Sequence, residues 1–402
     1  MISVAEALNI VARELPDPEQ ELLGLGEAMG RRLAANVYAR RDNPALDLSA
    51  MDGFAVAAGS GRRSWSVRGV AAAGEPRGTL DDPADCVEIM TGAPLPQGAD
   101  TVVPVEEVEG REGTVALLPE GQVKKGRHVR HRGSNYTEES LLIEEGERLT
   151  SAKIAVLAAE GVTRVPVVRR PTVAILSTGS ELVPPEETPE PQQIRASNLP
   201  ALEAELTAAG FAIVAGEHGP DEREGLGERI AALAERAETV LMTGGVSRGK
   251  FDLIEPLLED LGAEKLFHWV AQKPGKPLLA ARLRRPGGQT LLLGLPGNPQ
   301  AALIAARRYL VEAAMERHIP PRPSFRIPLS EPIRFGAPKT LFQPALLKQG
   351  KRGLEARAVE TTGSGDYFGL SRADGFVELA AEQERFSAGE CVPFFGWSSG
   401  PG

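Results

Sequence analysis

Cysteine is almost absent from the sequence, and long apolar runs are missing altogether. The two cysteines, Cys86 and Cys391, stand far apart and fit neither a disulfide framework nor a cysteine-based zinc site. No apolar stretch approaches the roughly 20 residues that cross a bilayer. The N-terminus also lacks the basic and apolar regions of a signal peptide. We therefore expect a protein of the reducing cytoplasm that does not enter a membrane.

Positive charge is also scarce, because 45 lysines and arginines face 55 acidic residues and give a formal net charge of -10 at pH 7. General nucleic-acid binding needs a basic face, so we expect no nucleic-acid partner. A small anionic ligand would need a local basic pocket instead. With 42% hydrophobic and 25% charged residues the chain should fold, and its length predicts about two to four domains.

The first part of the chain alternates between helical and strand-like patterns. Apolar periodicity indicates helices in residues 1–45, including a second helical stretch near 28–37, and the helical pattern returns over 141–168. Between them, 46–140 has short β-branched runs separated by glycine and proline, which is typical of a β-rich domain. We therefore predict a β-rich domain inserted into a discontinuous helical domain.

Residues 169–319 show a different pattern, in which continuous apolar runs alternate with helical stretches. Strands that are buried on both faces and alternate with helices predict an open, mostly parallel α/β sheet. After a proline cluster, 320–402 has strand-like runs without helical periodicity. The expected fold class is multidomain α/β, with a central sheet domain, a discontinuous helical domain, an inserted β-rich domain and a C-terminal β domain. Apolar strands are expected near 172–177, 212–215, 239–242 and 290–294, and helices near 197–209, 223–237, 252–261 and 299–315.

Loops rich in glycine and hydroxyl groups follow three of these predicted strands. Ligands of open α/β sheets collect at the carboxyl ends of the strands, where glycine lets a ligand approach the backbone and hydroxyls bind oxyanions. The loops therefore predict an anion pocket, although each one alone also fits an ordinary turn. Asn298 can cap a helix that begins at Pro299, which suits either an anion site or a plain helix start. The loop residues are Thr178 and Gly179, then Gly244, Gly245 and Ser247, and finally Pro296, Gly297 and Asn298.

Lys273 and Lys276 lie on a proline-flanked loop with the sequence KPGKP. A stiff loop can hold an anion at little entropic cost, so we interpret the pair as a phosphate or oxyanion site, with two solvated surface lysines as the alternative. Glu181, Asp221 and Asp252 could hold Mg²⁺, and each also suits an exposed acid. No pattern of histidines and cysteines supports zinc, and we predict no covalent nucleophile.

Six motifs, in order along about residues 1–400, resemble the molybdopterin molybdenumtransferase family, which includes bacterial MoeA and the gephyrin E domain. Each motif alone is weak, but six in family order are specific. The motifs are Ser49–Val56, Thr91–Pro96 with Gly98–Asp100, Thr178-Gly179-x-Glu181-Leu182, Gly244–Ser247, Lys273–Pro277 and Leu295–Pro299.

The resemblance implies a four-domain homodimer that inserts molybdate into adenylylated molybdopterin and releases AMP, assisted by Mg²⁺. An upstream molybdopterin adenylyltransferase would supply the substrate. Asp52, Glu181 and Asp252 would be catalytic, and Glu181, Asp221 and Asp252 would bind the metal. Thr91, the strand-end loops and the lysines would bind substrate. Asp52 and Thr91 would face the sheet domain of the partner subunit, so the active site would be shared.

Four positions depart from the family, which usually has an acid where this chain has Asn135, Ser180, Ala196 and Lys250. The missing negative charges should weaken metal binding and strengthen anion binding. Either the remaining acids suffice for the metal, or the chain is a diverged, catalytically weak pterin-binding carrier or scaffold. A nucleotide-phosphate hydrolase on the same sheet is a third hypothesis, which the Ser49–Val56 motif argues against.

Overall fold

The computed structural model describes residues 1–219, 223–246, 253–321, 325–336, 338–350 and 353–398. The chain divides into two compact units. The first unit comprises Met1–Ala35, Glu145–Ile154 and Thr163–Gly402, and the second comprises Asn36–Glu144 and Ala155–Val162. Across the described residues, every helix is too short or too polar to span a bilayer.

The centre of the first unit is a six-stranded sheet. Its strands are β1 (Thr172–Thr178), β2 (Ala212–Gly219), β3 (Thr239–Thr243), β4 (Glu264–Phe267), β5 (Leu279–Arg285) and β6 (Gly288–Leu295). They lie in the order β2-β1-β3-β6-β5-β4; the first four are parallel to one another, and β5 and β4 pair antiparallel. The mostly parallel sheet is thus confirmed. The sequence analysis did not predict β4 and β5, because β4 is half exposed and the outer half of β5 is rich in arginine.

Helices cover both faces of this sheet. They are α1 (Asn198–Ala209), α2 (Arg223–Ala234), α3 (Ile254–Asp260) and α4 (Pro299–Ala305), which continues through a π-helical stretch, Ala306–Val311, to Glu312–Met315. Val173 and Ile175 of β1 pack with α1, α4 and the N-terminal helix, whereas Ala174 and Leu176 pack with α2 and α3. Alternate side chains of a strand point to opposite faces, so β1 is buried on both sides. A short parallel pair, Leu182–Val183 and Ile194–Arg195, follows β1.

The N-terminal part of the first unit is only partly helical. Helix Val4–Glu14 forms as predicted and begins with a capping box between Ser3 and Glu6. The helix expected near 28–37 is wrong, because Gly30 has a φ of +77° and the chain beyond it is extended. There the Leu33 amide donates to the carbonyl of Glu147. The remaining elements are helix Leu25–Ala28 and the antiparallel pair Gln20–Gly24 with Arg164–Val168.

The second unit is β-rich, as predicted for this part of the chain. Its main sheet has six strands and is flanked by two short antiparallel pairs. Two short 3₁₀ helices, Ala58–Ser60 and Val105–Glu107, interrupt the strands. The second half of helix Ser151–Ala159, from Ala155 onward, also belongs to this unit. The sheet strands are Gly53–Val56, Ser64–Ala71, Asp85–Ile89, Thr101–Pro104, Val108–Arg111 and Thr114–Leu117. The short pairs are Val37–Tyr38 with Leu141–Ile143 and Leu48–Ser49 with Val129–Arg130.

The C-terminal part of the first unit forms a second sheet, in agreement with the predicted β domain. Strand Gln272–Lys273 from the sheet domain joins this second sheet, parallel to Thr340–Gly350. The loop that carries Lys273 and Lys276, which we call the lysine loop, therefore begins in the edge strand of the C-terminal sheet. The other elements are Phe325–Pro328, Gly353–Ala358, Gly375–Leu379, Cys391–Gly396, the pair Ile333–Arg334 with Arg385–Phe386, and helix Tyr367–Leu370.

Candidate functional site

The loops after β1, β3 and β6 lie against one another. A Cβ atom built on Gly244 would lie 2.6 Å from the carbonyl oxygen of Thr178, and one on Gly297 would lie 3.6 Å from the Cα of Gly244. Gly244 and Gly245 have φ values of +92° and +63°, which other residues rarely adopt. Glycine is therefore required where the first two of these loops touch.

The three loops line a cavity of about 800 Å³, which we call the strand-end cavity. Its volume lies in the usual range for small-molecule sites. Gly179 does not line it; a Cβ there would meet Glu181 and Leu182, so this glycine shapes the turn. The lining includes the predicted residues Thr178, Glu181, Gly244, Gly245, Pro296, Gly297 and Asn298. The sequence analysis did not single out the lining residues Arg195, Asn198, Gly365 and Tyr367.

Buried hydroxyls join the ends of β1 and β3. The Oγ1 atom of Thr178 donates to the carbonyl of Thr243 at 3.2 Å, and the Oγ1 atom of Thr243 donates to Oγ of Ser177 at 3.1 Å. The Thr178 side chain thus uses its proton within the protein. It fixes the rim of the cavity, and the hydroxyl can meet a ligand only as an acceptor, through its lone pairs.

The start of α4 is held by the C-terminal sheet domain. The helix begins at Pro299 as predicted and Asn298 occupies its N-cap position, but the expected cap by the Asn298 side chain is wrong. That side chain makes no capping hydrogen bond, and its Nδ2 donates to Oγ of Ser364 at 2.7 Å. The backbone N–H of Gln300, which a helix start could offer to an anion, donates to the carbonyl of Ser364 at 3.2 Å. On the other side, Nδ2 of Asn198 donates to the carbonyl of Gly297 at 2.8 Å. These bonds fix the Pro296–Asn298 loop from two directions.

Lys273 and Lys276 line a second cavity of about 910 Å³, which we call the cationic cavity. The lysines therefore do not share one cavity with the glycine loops. The two cavities adjoin, because Pro277, Pro296 and Asn298 line both. The C-terminal domain adds two further cations to the cationic cavity, Arg334 and Lys339, whereas Glu360 is the acid among the described lining residues.

Hydrogen bonds between buried polar groups stabilise the lysine loop. Gln272 is 1% exposed; its amide donates to the carbonyl of Gly275 at 2.8 Å, and its Oε1 accepts from the hydroxyl of Tyr309. Burial raises the pKa of Tyr309, so this phenol remains a donor. Both lysines also make cation–π contacts. Lys273 Nζ lies 5.5 Å from the ring centroid of Phe335, and Lys276 Nζ lies 5.6 Å from the ring centroid of Trp269.

Asp52 and Thr91 form a bonded pair in the second unit. Oδ1 of Asp52 accepts from the backbone N–H and from the hydroxyl of Thr91, both at 2.7 Å. These two bonds, the backbone one first, lower the pKa of Asp52. Asp52 is therefore ionised at neutral pH and oriented by Thr91.

Of the three predicted metal ligands, the structure describes Glu181, an exposed carboxylate in the wall of the strand-end cavity. Asp221 and Asp252 lie outside the described residues, as do Ser247 and Lys250. Within the described ranges, no three histidine, cysteine or carboxylate side chains gather in a way that could hold a metal ion. The described residues thus supply one of the three predicted donors.

The remaining departures from the family pattern differ in their surroundings. Ser180 is exposed beside Glu181, and Ala196 is buried. In the second unit, Asn135 accepts from Arg130 at 2.8 Å and donates to Asn43 at 2.7 Å.

Three family models match consecutive parts of the chain. The MoeA N-terminal region (domain I and II) matches residues 2–161, the probable molybdopterin binding domain matches 174–316, and the MoeA C-terminal region (domain IV) matches 326–397. The sheet domain with the strand-end cavity is thus of the molybdopterin-binding class, within a MoeA arrangement of domains.

Whole-length relatives agree with these models. Molybdopterin molybdenumtransferases of Synechocystis sp. and Bacillus subtilis are 34% and 30% identical to the chain, over 99% and 97% of its length and 100% and 93% of theirs. Two structures of the molybdopterin biosynthesis MoeA protein from Pyrococcus horikoshii match with TM-scores of 0.84 and 0.83 at 28% and 22% identity, covering 99% of this chain and 99% and 100% of theirs. The chain therefore belongs to the MoeA family, which confirms the resemblance seen in the motifs. It is a transferase of molybdenum cofactor biosynthesis.

Proposed function

We propose that the chain transfers molybdenum from molybdate to the dithiolene of adenylylated molybdopterin and releases AMP. The observation that carries this proposal is the pair of adjoining cavities, whose common wall is formed by Pro277, Pro296 and Asn298. The reaction needs two anionic substrates side by side, and the adjoining cavities provide places for two. The named activity of the curated relatives supports the same reaction.

The strand-end cavity suits the pterin nucleotide. Its volume of about 800 Å³ is ample for an extended small molecule. Gly244, Gly245 and Gly297 have no side chains, so a phosphate can approach the backbone of three loops at once. Because the loops are bonded to one another and to Ser364, the cavity is preorganised, which favours catalysis by positioning.

The cationic cavity suits the second substrate, the molybdate oxyanion. Lys273, Lys276, Arg334 and Lys339 concentrate positive charge in a chain whose net charge is -10. A local positive field attracts a small dianion and offsets its repulsion from the phosphates of the pterin nucleotide. In the reaction, water cleaves the phosphoanhydride bond of the adenylylated substrate and AMP leaves. The two dithiolene thiols bond to molybdenum, and one molybdate oxygen leaves as water with their two protons.

Mg²⁺ would assist this reaction. When bound, it would neutralise pyrophosphate charge. Glu181 is in place to contribute one oxygen ligand from the strand-end cavity. The other proposed ligands, Asp221 and Asp252, lie outside the described residues.

We also propose that the working enzyme is a cytoplasmic homodimer in which Asp52 and Thr91 complete the strand-end cavity of the partner subunit. Its substrate would come from a molybdopterin adenylyltransferase. Mixing an Asp52→Asn variant with a Lys276→Ala variant tests the shared site, because a mixed dimer regains one intact site. The assay uses molybdate well below half-saturation, where Lys276→Ala should keep only about a tenth of the wild-type rate. Equal mixing should then give about a quarter of wild-type activity. If the mixture shows only the average of its two components, each subunit has its own complete site.

The transfer reaction is tested by incubating the chain with adenylylated molybdopterin, molybdate and Mg²⁺ and measuring AMP. We expect Lys273→Ala and Lys276→Ala each to raise the molybdate concentration for half-maximal rate by roughly 10-fold, since each removes one charged contact. Lys265→Ala is the matched control, because Lys265 is paired with Glu255 at 2.7 Å and lines neither cavity. Absence of AMP release at any metal concentration would reject the transferase; retained pterin binding would then favour the diverged carrier.

A further inference from the structure

Tyr367 is the one aromatic side chain among the described residues that line the strand-end cavity. It belongs to the C-terminal domain, and 64% of its surface is exposed. The whole chain has 4 tyrosines and only 5% aromatic residues. A large ring left open to water at the edge of a ligand cavity can gain burial when a ligand binds.

The backbone that presents Tyr367 is firmly held. The carboxylate of Asp366 accepts from the backbone N–H of Thr362 at 3.0 Å and from that of Gly369 at 2.7 Å, so it closes the turn around the tyrosine. Ser364 is bonded in turn to Asn298 and Gln300 at the start of α4. The backbone that carries Tyr367 is therefore fixed to residues that line the strand-end cavity. Little conformational entropy of this segment is lost when a ligand binds.

We propose that Tyr367 binds substrate by stacking its ring on a planar heteroaromatic ring, either the pterin or the adenine. This inference rests on the proposed function, which places an adenylylated pterin in the strand-end cavity. Aromatic side chains stack on bases with little dependence on their hydrogen-bonding groups, because every such ring has a π face. The phenol hydroxyl has no part in this contact, so phenylalanine should replace tyrosine without loss.

Equilibrium binding to the full chain tests this proposal, with AMP and unsubstituted pterin as two separate probes measured by calorimetry. We expect Tyr367→Leu to weaken binding of one probe by roughly 10-fold, and the probe affected identifies the stacked ring. Tyr367→Phe should bind both probes within about twofold of wild type. Phe368→Leu is the matched control, because Phe368 is its exposed neighbour, 72% accessible, and does not line the strand-end cavity.

Three outcomes would overturn the stacking proposal. The first is wild-type affinity of Tyr367→Leu for both probes, with a thermal melt that shows it is folded. The second is an equal loss in Tyr367→Phe, which would assign the effect to the hydroxyl. The third is an equal loss in Phe368→Leu, which would indicate a general disturbance of the segment. A wild-type chain that binds neither probe would count against the proposed function itself, whereas the first three outcomes leave that function intact.

Discussion

Gly244→Ala is the substitution whose effect the structure defines most closely. At φ +92°, a residue with a side chain is strained by about 1–2 kcal/mol. The added Cβ would also lie 2.6 Å from the carbonyl oxygen of Thr178. That oxygen belongs to the backbone of a buried strand and cannot rotate away, so the loop or the strand must shift. We expect a total destabilisation of about 3 kcal/mol.

Two other glycines separate loss of stability from loss of function. A Cβ on Gly297 would meet the Cα of Gly244 at 3.6 Å, an ordinary contact, so Gly297→Ala should fold normally but place a methyl group in the cavity wall. Gly225 lies in α2 with nothing within 4 Å of an added Cβ. Gly225→Ala should therefore stabilise the chain by about 0.5–1 kcal/mol and leave activity unchanged.

Scanning calorimetry and AMP release measure the two effects. For a domain of this kind, 3 kcal/mol corresponds to a fall in melting temperature of roughly 6–12 °C for Gly244→Ala. Gly297→Ala should have the melting temperature of the wild type and a raised KM for the pterin nucleotide. If Gly244→Ala melts within about a degree of wild type, the loops after β1 and β3 do not touch at Gly244 and do not form the strand-end cavity.

The remaining predictions concern hydrogen bonds. Thr91→Val removes one of the two donors to Asp52, so the pKa of Asp52 should rise toward its ordinary value in a carboxyl NMR titration; an unchanged pKa would show that the hydroxyl does not bond. Because the folded pKa is lowered, the stability that these bonds contribute is present at neutral pH and is lost as pH falls through that pKa. Tyr309→Phe leaves the buried Oε1 of Gln272 without a donor, so urea unfolding should show a loss of about 1–3 kcal/mol, and a loss below about 0.5 kcal/mol would contradict the bond.

Local patterns explain how much of the fold could be predicted. Continuous apolar runs such as Thr239–Thr243 are buried on both faces, and that burial is visible in the sequence alone. Strand β4 has no such pattern, because its first two residues are exposed at the edge of the sheet. The region near 28–37 has the apolar spacing of a helix, but Gly30 turns the chain into pairing with residues distant in sequence. Tertiary pairing of this kind overrides local propensity.

The candidate site could also be predicted from the sequence only in part. The glycine loops could be predicted because their positive φ values and close approaches demand glycine, and strand ends are where ligands bind. The partners of those loops could not be predicted. Ser364 replaces the expected cap at Asn298, and Tyr367 lines the strand-end cavity, yet neither lies in a segment with a recognisable pattern. Contacts between residues so far apart in sequence follow from how the C-terminal sheet packs, which no local rule specifies.

One segment of the C-terminal domain contributes to both cavities, so the coupling between ligands bound in the two cavities depends on how rigid this segment is. Ser364 lines the cationic cavity, and Tyr367 lines the strand-end cavity three residues later. Ser364 is bonded to Asn298, which lines both cavities. Because these bonds already fix the loop without a ligand, a ligand in one cavity has little left to order for a ligand in the other. If molybdate and the pterin nucleotide occupy these cavities as proposed, we therefore expect little cooperativity from ordering of this wall. Because coupling is reciprocal, any factor by which one ligand changes the affinity for the other should be the same in both directions.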